Sequence, residues 1–137
     1  MDIMERIYER AKANPQRVAF PEATEEKILL AARESADKGL CIPLLVGAPA
    51  DIAATAKEFG VSLNGMTICD AFDEEKLDKL IAEYTAKYPL NSAKTMKRKS
   101  RDPMYTGLMM QALGIADVMF AGLTHSTGDV IMAGQMV

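Results

Sequence analysis

The chain has 137 residues, 49% of them hydrophobic and 26% charged, which suits one globular domain with a buried core. Its formal net charge of -3 gives no general attraction to nucleic-acid or membrane phosphates, so we expect neither as a partner. No run reaches the roughly 18 apolar residues of a membrane span, and the first residues lack a signal-peptide core. We therefore expect a cytoplasmic protein.

The cysteine and histidine content argues against a metal site. Cys41 and Cys69 have no C-x-x-C spacing, and His125 is the single histidine. A zinc site is therefore not expected. Two cysteines could form one disulfide, but free thiols in a reducing cytoplasm are the simpler interpretation.

The first part of the chain alternates between helical and β-prone segments. Asp2 can cap a helix ending at Asn14-Pro15, with an apolar stripe of Ile3, Ile7, Tyr8 and Ala11. The run 17–20 is β-prone. Thr24 can cap a second helix, which Gly39 can close and whose inward positions would be Ile28, Ala31, Ala32 and Ser35.

The alternation continues through the middle of the chain. The run 42–47 predicts a buried strand, and Pro49 begins a helix that ends near Phe59, before Gly60. A third strand is expected at 66–70. The next helix ends at Pro89 and has an apolar stripe of Leu77, Leu80, Ile81, Tyr84 and Tyr88.

The last part predicts three more helices and a strand. A helix covers roughly 92–100, and Asp102-Pro103 starts another that Gly114 closes, with a stripe of Tyr105, Leu108, Met109, Ala112 and Leu113. The fourth strand is expected at 117–122, and residues from about Ser126 are helical.

This alternation of strands and helices predicts an α/β fold, a three-layer α/β/α arrangement with a mainly parallel sheet and right-handed crossovers. No linker divides residues 1–137, so we expect a single α/β domain. The last helical pattern reaches Val137 without a cap, which favours a fragment, or an unusually short version, of a longer protein.

The stretch FAGLTHSTGDV, 120–130, is the main candidate for a ligand loop. It follows a predicted strand, and ligands of open parallel sheets bind beyond the carboxyl ends of the strands. Gly122 allows close backbone approach, and the N–H groups of the following helix start favour an anion. The candidate binding residues are Gly122, Thr124, His125, Ser126 and Thr127.

Two features of this stretch favour a plainer interpretation. A Ser/Thr-rich turn before a helix is ordinary N-cap chemistry. The carboxylate of Asp129 would also repel an anion unless it points elsewhere or orients a neighbour. Taken alone, the residues favour capping over ligand binding, and the chain contains neither G-x-G-x-x-G nor G-x-x-x-x-G-K-[ST].

Two other segments carry charges that could meet a ligand. On a helix, Lys94, Lys97, Arg98 and Arg101 form one basic stripe, which could receive a polyphosphate but is more often a solvated face. Glu22 follows a strand end and could line the same sheet edge as Ser126. Taken alone, Glu22 is better explained by the alternative, an acidic helix entry, which the helix dipole favours.

Four segments in register make the sequence recognisable. RVAFPEATEEKILLAA, PLLVG, RDPMYTGLMM and ADVMFAGLTHSTGDV together resemble the amino-terminal portion of the phosphate acetyltransferase/phosphate butyryltransferase family, across 17–137. The resemblance implies an enzyme that interconverts acyl-CoA plus phosphate with acyl phosphate, such as acetyl phosphate, plus coenzyme A. Coenzyme A would be a substrate, and no cofactor or metal is implied. The oligomeric state stays open, with a homodimer as one alternative.

The resemblance also implies that this segment holds no catalytic residue of the acyl-transfer step. The family's active-site serine, arginine and aspartate lie in the carboxyl-terminal half, so we expect residues 1–137 alone to be inactive. Many members continue from H-S-T-x-D into T-L-R-P, whereas this chain has Met132 at the arginine position. Lys87 is an earlier basic residue whose alignment is loose. Loss of a guanidinium affects substrate choice or activity.

Two rivals to the enzyme remain. One is a non-catalytic acyl-CoA-binding or protein-interaction module with the same fold, which the loss of arginine at Met132 favours. The other is an unrelated sugar- or nucleotide-binding α/β domain, since a fold alone does not define a function.

Overall fold

The computed structural model describes residues 2–137, in which helices and strands alternate from the amino end. The strands are β1 (Gln16–Phe20), β2 (Cys41–Gly47), β3 (Thr67–Asp70) and β4 (Val118–Met119). The helices are α1 (Ile3–Ala13), α2 (Glu26–Asp37), α3 (Pro49–Phe59), α4 (Glu74–Lys87), α5 (Ala93–Lys99), α6 (Pro103–Ala112) and α7 (Thr127–Met136).

The strands form one parallel sheet in the order β3-β2-β1-β4. The β1–β2 pairing is the longest and runs from Gln16 opposite Cys41 to Phe20 opposite Leu45. By contrast, β4 pairs with β1 only through Val18 opposite Val118 and Ala19 opposite Met119. The predicted α/β class with a mainly parallel sheet is confirmed.

Helices cover both faces of the sheet because each strand sends alternate side chains to opposite sides. On one face Phe20 and Leu45 pack against α2 and α3 through Ile28, Ala32, Ile52 and Ala56. On the other face Ala19, Leu44 and Val46 pack against Met110 of α6, with Leu80 of α4 partly buried beside them. The result is the expected three-layer α/β/α arrangement.

Most predicted helix ends are confirmed by their capping bonds. The carboxylates of Asp2 and Asp102 accept from the N–H groups of Glu5 and Met104, and the Ser126 hydroxyl accepts from Asp129 N–H. Gly60 ends α3 in the left-handed conformation, with φ +66°. Thr24 was expected to cap α2, but Glu25 stands at that position and makes no side-chain capping bond.

Three other expectations need correction. Ala31 is exposed, and Leu29 takes the inward position instead, because α2 is turned slightly about its axis relative to the predicted stripe. The apolar stripe of α1 does not enter the core: Ile3, Ile7 and Tyr8 are exposed and Ala11 is half-buried. The strand predicted at 117–122 is only two residues long, because Gly122, at φ +131°, follows it closely and the chain turns away from the sheet.

The sheet order places two chain segments side by side. Since β1 and β4 are parallel neighbours, the residues after Phe20 and those after Met119 leave the same edge of the sheet. Glu22 therefore lies next to the loop 122–127. Cys41 and Cys69 are free thiols, as expected. Within residues 2–137 no helix has the length and apolar composition needed to cross a membrane.

Candidate functional site

Glu22 lies at the centre of the contacts around the loop 122–127. Its side chain is 1% exposed, and one carboxylate oxygen accepts from Gly122 N–H at 2.8 Å and Leu123 N–H at 3.0 Å. The other oxygen accepts from both the N–H and the hydroxyl of Thr124. The loop thus presents its donors to a carboxylate of the same chain.

These contacts decide the charge of Glu22. Burial opposes ionisation, but hydrogen bonds from Thr124, Leu123 and His125 together outweigh it and lower the pKa of Glu22 to about 2. A buried carboxylate of this kind is stable only with its oxygens fully hydrogen-bonded. Glu22 is therefore ionised at neutral pH and holds the loop.

His125 joins this carboxylate to a second one. Its Nδ1 lies 3.0 Å from Glu22 Oε2, and its Nε2 lies 2.7 Å from Asp102 Oδ2 at the start of α6. Burial disfavours the imidazolium, but hydrogen bonds to Asp102 and Glu22 outweigh burial and raise the pKa of His125. Only the imidazolium can donate from both nitrogens. A ligand would have to displace Asp102 to reach Nε2.

The start of α7 adds groups with no internal partner. Ser126 caps the helix, and its hydroxyl keeps a proton that it can donate. Within residues 2–137 the backbone N–H groups of Thr127 and Gly128 donate to no acceptor. Such first-turn N–H groups, together with the helix dipole, favour an anion.

A cavity of about 240 Å³ lies beside His125 and α7. Lys99, Tyr105 and Met104 line one part of it, and Asp102, Asp129, Met132 and His125 line the rest. Met132 is 68% exposed, so it does not belong to the core. Asp129 and Met132 share the face of α7 that borders this cavity, as their i, i+3 spacing predicts.

A second and larger cavity, here called the basic groove, lies between α4 and α5. It has a volume of about 450 Å³ and is lined by Phe72, Glu74, Leu77, Lys94, Lys97, Arg98, Ser100 and Arg101. The four basic residues of the predicted stripe thus face one space.

The residues predicted from the sequence fall into two groups in the structure. Gly122 and Thr124 donate to Glu22, so Glu22 lines the sheet edge beside the loop, which was the less favoured of its two interpretations. His125, Ser126 and Thr127 lie at the start of α7, and of these three His125 lines the smaller cavity. Their binding of a ligand stays a prediction.

Sequence reasoning missed the second role of Asp102 and the position of Lys99. Asp102 was expected only as a helix cap, and it does accept from Met104 N–H at 3.0 Å, but its other oxygen meets His125. The signal available was an Asp-Pro helix start in a chain with a single histidine, which does not identify a partner. No group of three or more His, Cys, Asp or Glu within residues 2–137 could hold a metal ion.

The fold and the position of the loop define a three-layer α/β/α domain with a polar loop at the carboxyl edge of its parallel sheet. The family model described as phosphate acetyl/butaryl transferase matches residues 2–137, and the chain belongs to this family.

Individual relatives agree with the family. Phosphate acetyltransferase of Acetivibrio thermocellus is 32% identical over 136 residues, covering 96% of this chain and 40% of that protein. The enzyme of Bacillus subtilis is 28% identical over 131 residues, covering 95% and 41%. The chain therefore spans about two fifths of the length of these relatives.

Solved structures show the same fold. A phosphotransacetylase from Streptococcus pyogenes superimposes with a TM-score of 0.80 at 24% identity, covering 97% of this chain and 42% of that one. The EutD phosphotransacetylase of Staphylococcus aureus gives a TM-score of 0.83 at 19% identity, covering 100% and 43%.

Proposed function

We propose that this chain is the amino-terminal part of a two-domain phosphate acyltransferase, which converts acetyl-CoA or a related acyl-CoA plus phosphate to acyl phosphate plus coenzyme A. Family membership over residues 2–137 supports the reaction class. The observation that carries the proposal is the start of α7, where within residues 2–137 two backbone N–H groups without an acceptor lie in the turn that follows His125.

The residues of this site have different roles in the proposal. Gly122 and Thr124 keep their N–H groups on Glu22 and fix the loop. Phosphate binds at the N–H groups of Thr127 and Gly128 and at the Ser126 hydroxyl, and Lys99 lines the adjacent cavity together with His125 and Asp129. This part of the enzyme orients phosphate and stabilises its charge. The groups that carry out acyl transfer lie in the remainder of the enzyme.

Phosphate titration followed by amide NMR tests the binding role. We expect shifts at Thr127 and Gly128 that weaken as salt rises, because opposite charges are brought together. The hydrogen bonds of Gly122, Leu123 and Thr124 to Glu22 should persist. Shifts confined to a face away from 122–129 would contradict the proposed site.

An activity assay tests the division of roles. The isolated chain, supplied with acetyl-CoA and phosphate, should form no acetyl phosphate. Turnover by the pure chain, above that of a mock preparation, would show that the catalytic groups lie within these 137 residues.

A second candidate is a non-catalytic acyl-CoA-binding or protein-interaction module. The exposed side chains of Ile131 and Met132, 55% and 68% accessible, favour it because they place an apolar surface beside the site. Competition distinguishes the two: acetyl phosphate should displace phosphate from an acyltransferase site. A module that binds acyl-CoA at another face should show no such displacement.

A further inference from the structure

The basic groove carries an excess of positive charge that the rest of the chain does not neutralise. Among its four cations only Lys97 has an ion-pair partner within residues 2–137, the carboxylate of Asp78. Lys94, Arg98 and Arg101 make no salt bridge there. Among the residues that the structure describes, Glu74 is the one acid that lines the groove. Four positive charges thus face two negative ones.

This charge is concentrated locally in an acidic protein. Five of the 16 lysines and arginines lie within 94–101, and no acid interrupts that segment. The whole chain has a net charge of -3, so general basicity does not explain the cluster. A local excess of about two charges matches a ligand with two or more phosphate charges.

An apolar floor anchors the helix that carries the cations. Met96 and Leu77 are buried beneath the groove in the cluster that joins α4, α5 and α6. Buried Ser100 donates its hydroxyl proton to the carbonyl of Met96 at 2.7 Å, which secures the end of α5. The part of α5 that carries the cations is therefore held by contacts within the chain and needs no ligand to form.

An aromatic ring borders the same space. Phe72 is 50% exposed, and its N–H donates to Asp70 Oδ1 at 2.9 Å, which holds the turn after β3. An exposed ring beside cations offers a stacking surface for a flat base, and stacking adds to the attraction of the phosphates. A simple inorganic anion would use the cations and leave this ring without a role.

We propose that the basic groove binds a nucleotide that carries an aromatic base and at least two phosphate charges. The phosphates meet Arg98, Arg101 and Lys94, and the base lies against Phe72. Free nucleoside diphosphates and the nucleotide end of coenzyme A share this chemistry. The proposal for a free nucleotide is independent of the function proposed above, whereas the coenzyme A case rests on it.

Titration of the chain with ADP, adenosine and inorganic pyrophosphate at low salt tests the ligand class. We expect ADP to bind most tightly, pyrophosphate more weakly and adenosine least, with amide shifts at 72–78 and 94–101. The affinity for ADP should fall severalfold when salt is raised from about 20 to about 200 mM. Absence of ADP binding at millimolar concentration, or shifts confined to 122–129, would overturn the proposal.

Charge-reversal variants locate the phosphates. Arg98→Glu with Arg101→Glu should weaken ADP binding by at least about tenfold, since two charge-assisted contacts are lost. The control is Arg6→Glu with Arg10→Glu on exposed α1, which changes the net charge equally. Equal weakening by both double variants would show non-specific attraction and overturn the site.

Removal of the aromatic ring locates the base. Phe72→Leu should weaken ADP binding by about fivefold and leave pyrophosphate binding unchanged, because pyrophosphate has no base to stack. Phe59→Leu, at another exposed phenylalanine, is the control. Equal effects of Phe72→Leu on both ligands would contradict a stacking role.

Coenzyme A as a fourth probe identifies the source of the nucleotide. Tighter binding of coenzyme A than of ADP, lost in the Arg98/Arg101 double variant, supports the coenzyme as the ligand. Equal affinities support a free nucleotide. Failure of phosphate to bind at α7 would count against the proposed function without affecting the ADP result.

Discussion

The first part of the loop, residues 122–124, and the basic groove both contain groups that attract anions, yet they differ in where the acceptor comes from. In the loop, the N–H groups of Gly122, Leu123 and Thr124 already donate to buried Glu22. In the groove, Lys94, Arg98 and Arg101 have no acidic partner within residues 2–137. Anion-binding groups therefore indicate a ligand only where the chain does not supply the anion itself.

The largest expected effect is the loss of the internal anion. Glu22→Gln should destabilise the chain by about 3 kcal/mol, because several buried donors lose a charged acceptor. Urea unfolding followed by circular dichroism measures this loss. Glu26→Gln, at an exposed position in the first turn of α2, is the matched control and should change stability by less than about 0.5 kcal/mol. Equal free energies of unfolding for the two variants would show that the Glu22 carboxylate does not stabilise the loop.

Acid should weaken the same contacts. Because the pKa of Glu22 is lowered from 4.5 to about 2, its contribution is present above pH 4.5 and is lost as the pH falls towards 2. We expect a loss of about 2 to 3 kcal/mol across that range, and a clearly shallower pH dependence in Glu22→Gln. Unfolding curves at several pH values measure both slopes, and parallel slopes would contradict the assignment.

His125 should show the opposite sign. Its pKa is raised in the folded chain, so its contribution is complete below the unfolded pKa of about 6.5 and is lost as the pH rises through the folded value. This histidine lies between Glu22 and Asp102, so His125→Gln should flatten the alkaline side of the stability profile. An unchanged alkaline side would show that the imidazolium contributes nothing there.

A smaller effect is expected from the backbone of the loop. Gly122 has φ +131°, a conformation that L side chains rarely adopt, so Gly122→Ala should cost about 1 to 2 kcal/mol. Gly134→Ala in α7 is the control: it has open space and no positive φ, and should stabilise by about 0.5 to 1 kcal/mol. Thermal unfolding compares the two variants. Equal changes of melting temperature in the two variants would contradict backbone strain at Gly122.

The smallest effect concerns the arginine position. Met132 is exposed and borders the cavity at His125, so Met132→Arg should leave the melting temperature nearly unchanged and strengthen phosphate binding by about 1 kcal/mol. Asp102 and Asp129 line the same cavity and will compete for the guanidinium, which limits the gain. Ile131→Arg adds the same charge at the adjacent position. An equal gain in both variants would reflect general electrostatics and not this cavity.

The sequence predicts the order and type of the elements because strand and helix patterns, caps and Gly or Pro stops agree locally. Gly60, Asp102 and Ser126 each mark a helix end where the structure has one. The length of β4 was missed because the apolar run 117–122 continues past the point at which pairing with β1 ends. Pairing is a tertiary property that an apolar run does not encode.

The site was only partly predictable for a related reason. Glu22 and the loop are separated by 100 residues and meet only because β1 and β4 are neighbours in the sheet. The sheet order predicts that Glu22 and the loop lie at the same edge. It does not predict which N–H groups donate to the carboxylate. The contact between Asp102 and His125 depends on the packing of α6 beside α7, and the local spacing of residues in the sequence does not predict that packing.

The most direct test of the difference between the two regions is an NMR pH titration of the Glu22 carboxyl carbon together with the amides of Gly122, Leu123 and Thr124. If this carboxylate holds the loop, its midpoint should lie at about 2, and the three amides should shift with the same midpoint. A midpoint near 4.5, the ordinary value for glutamate, with amides that do not follow it, would contradict the internal anion and leave the loop free for a ligand.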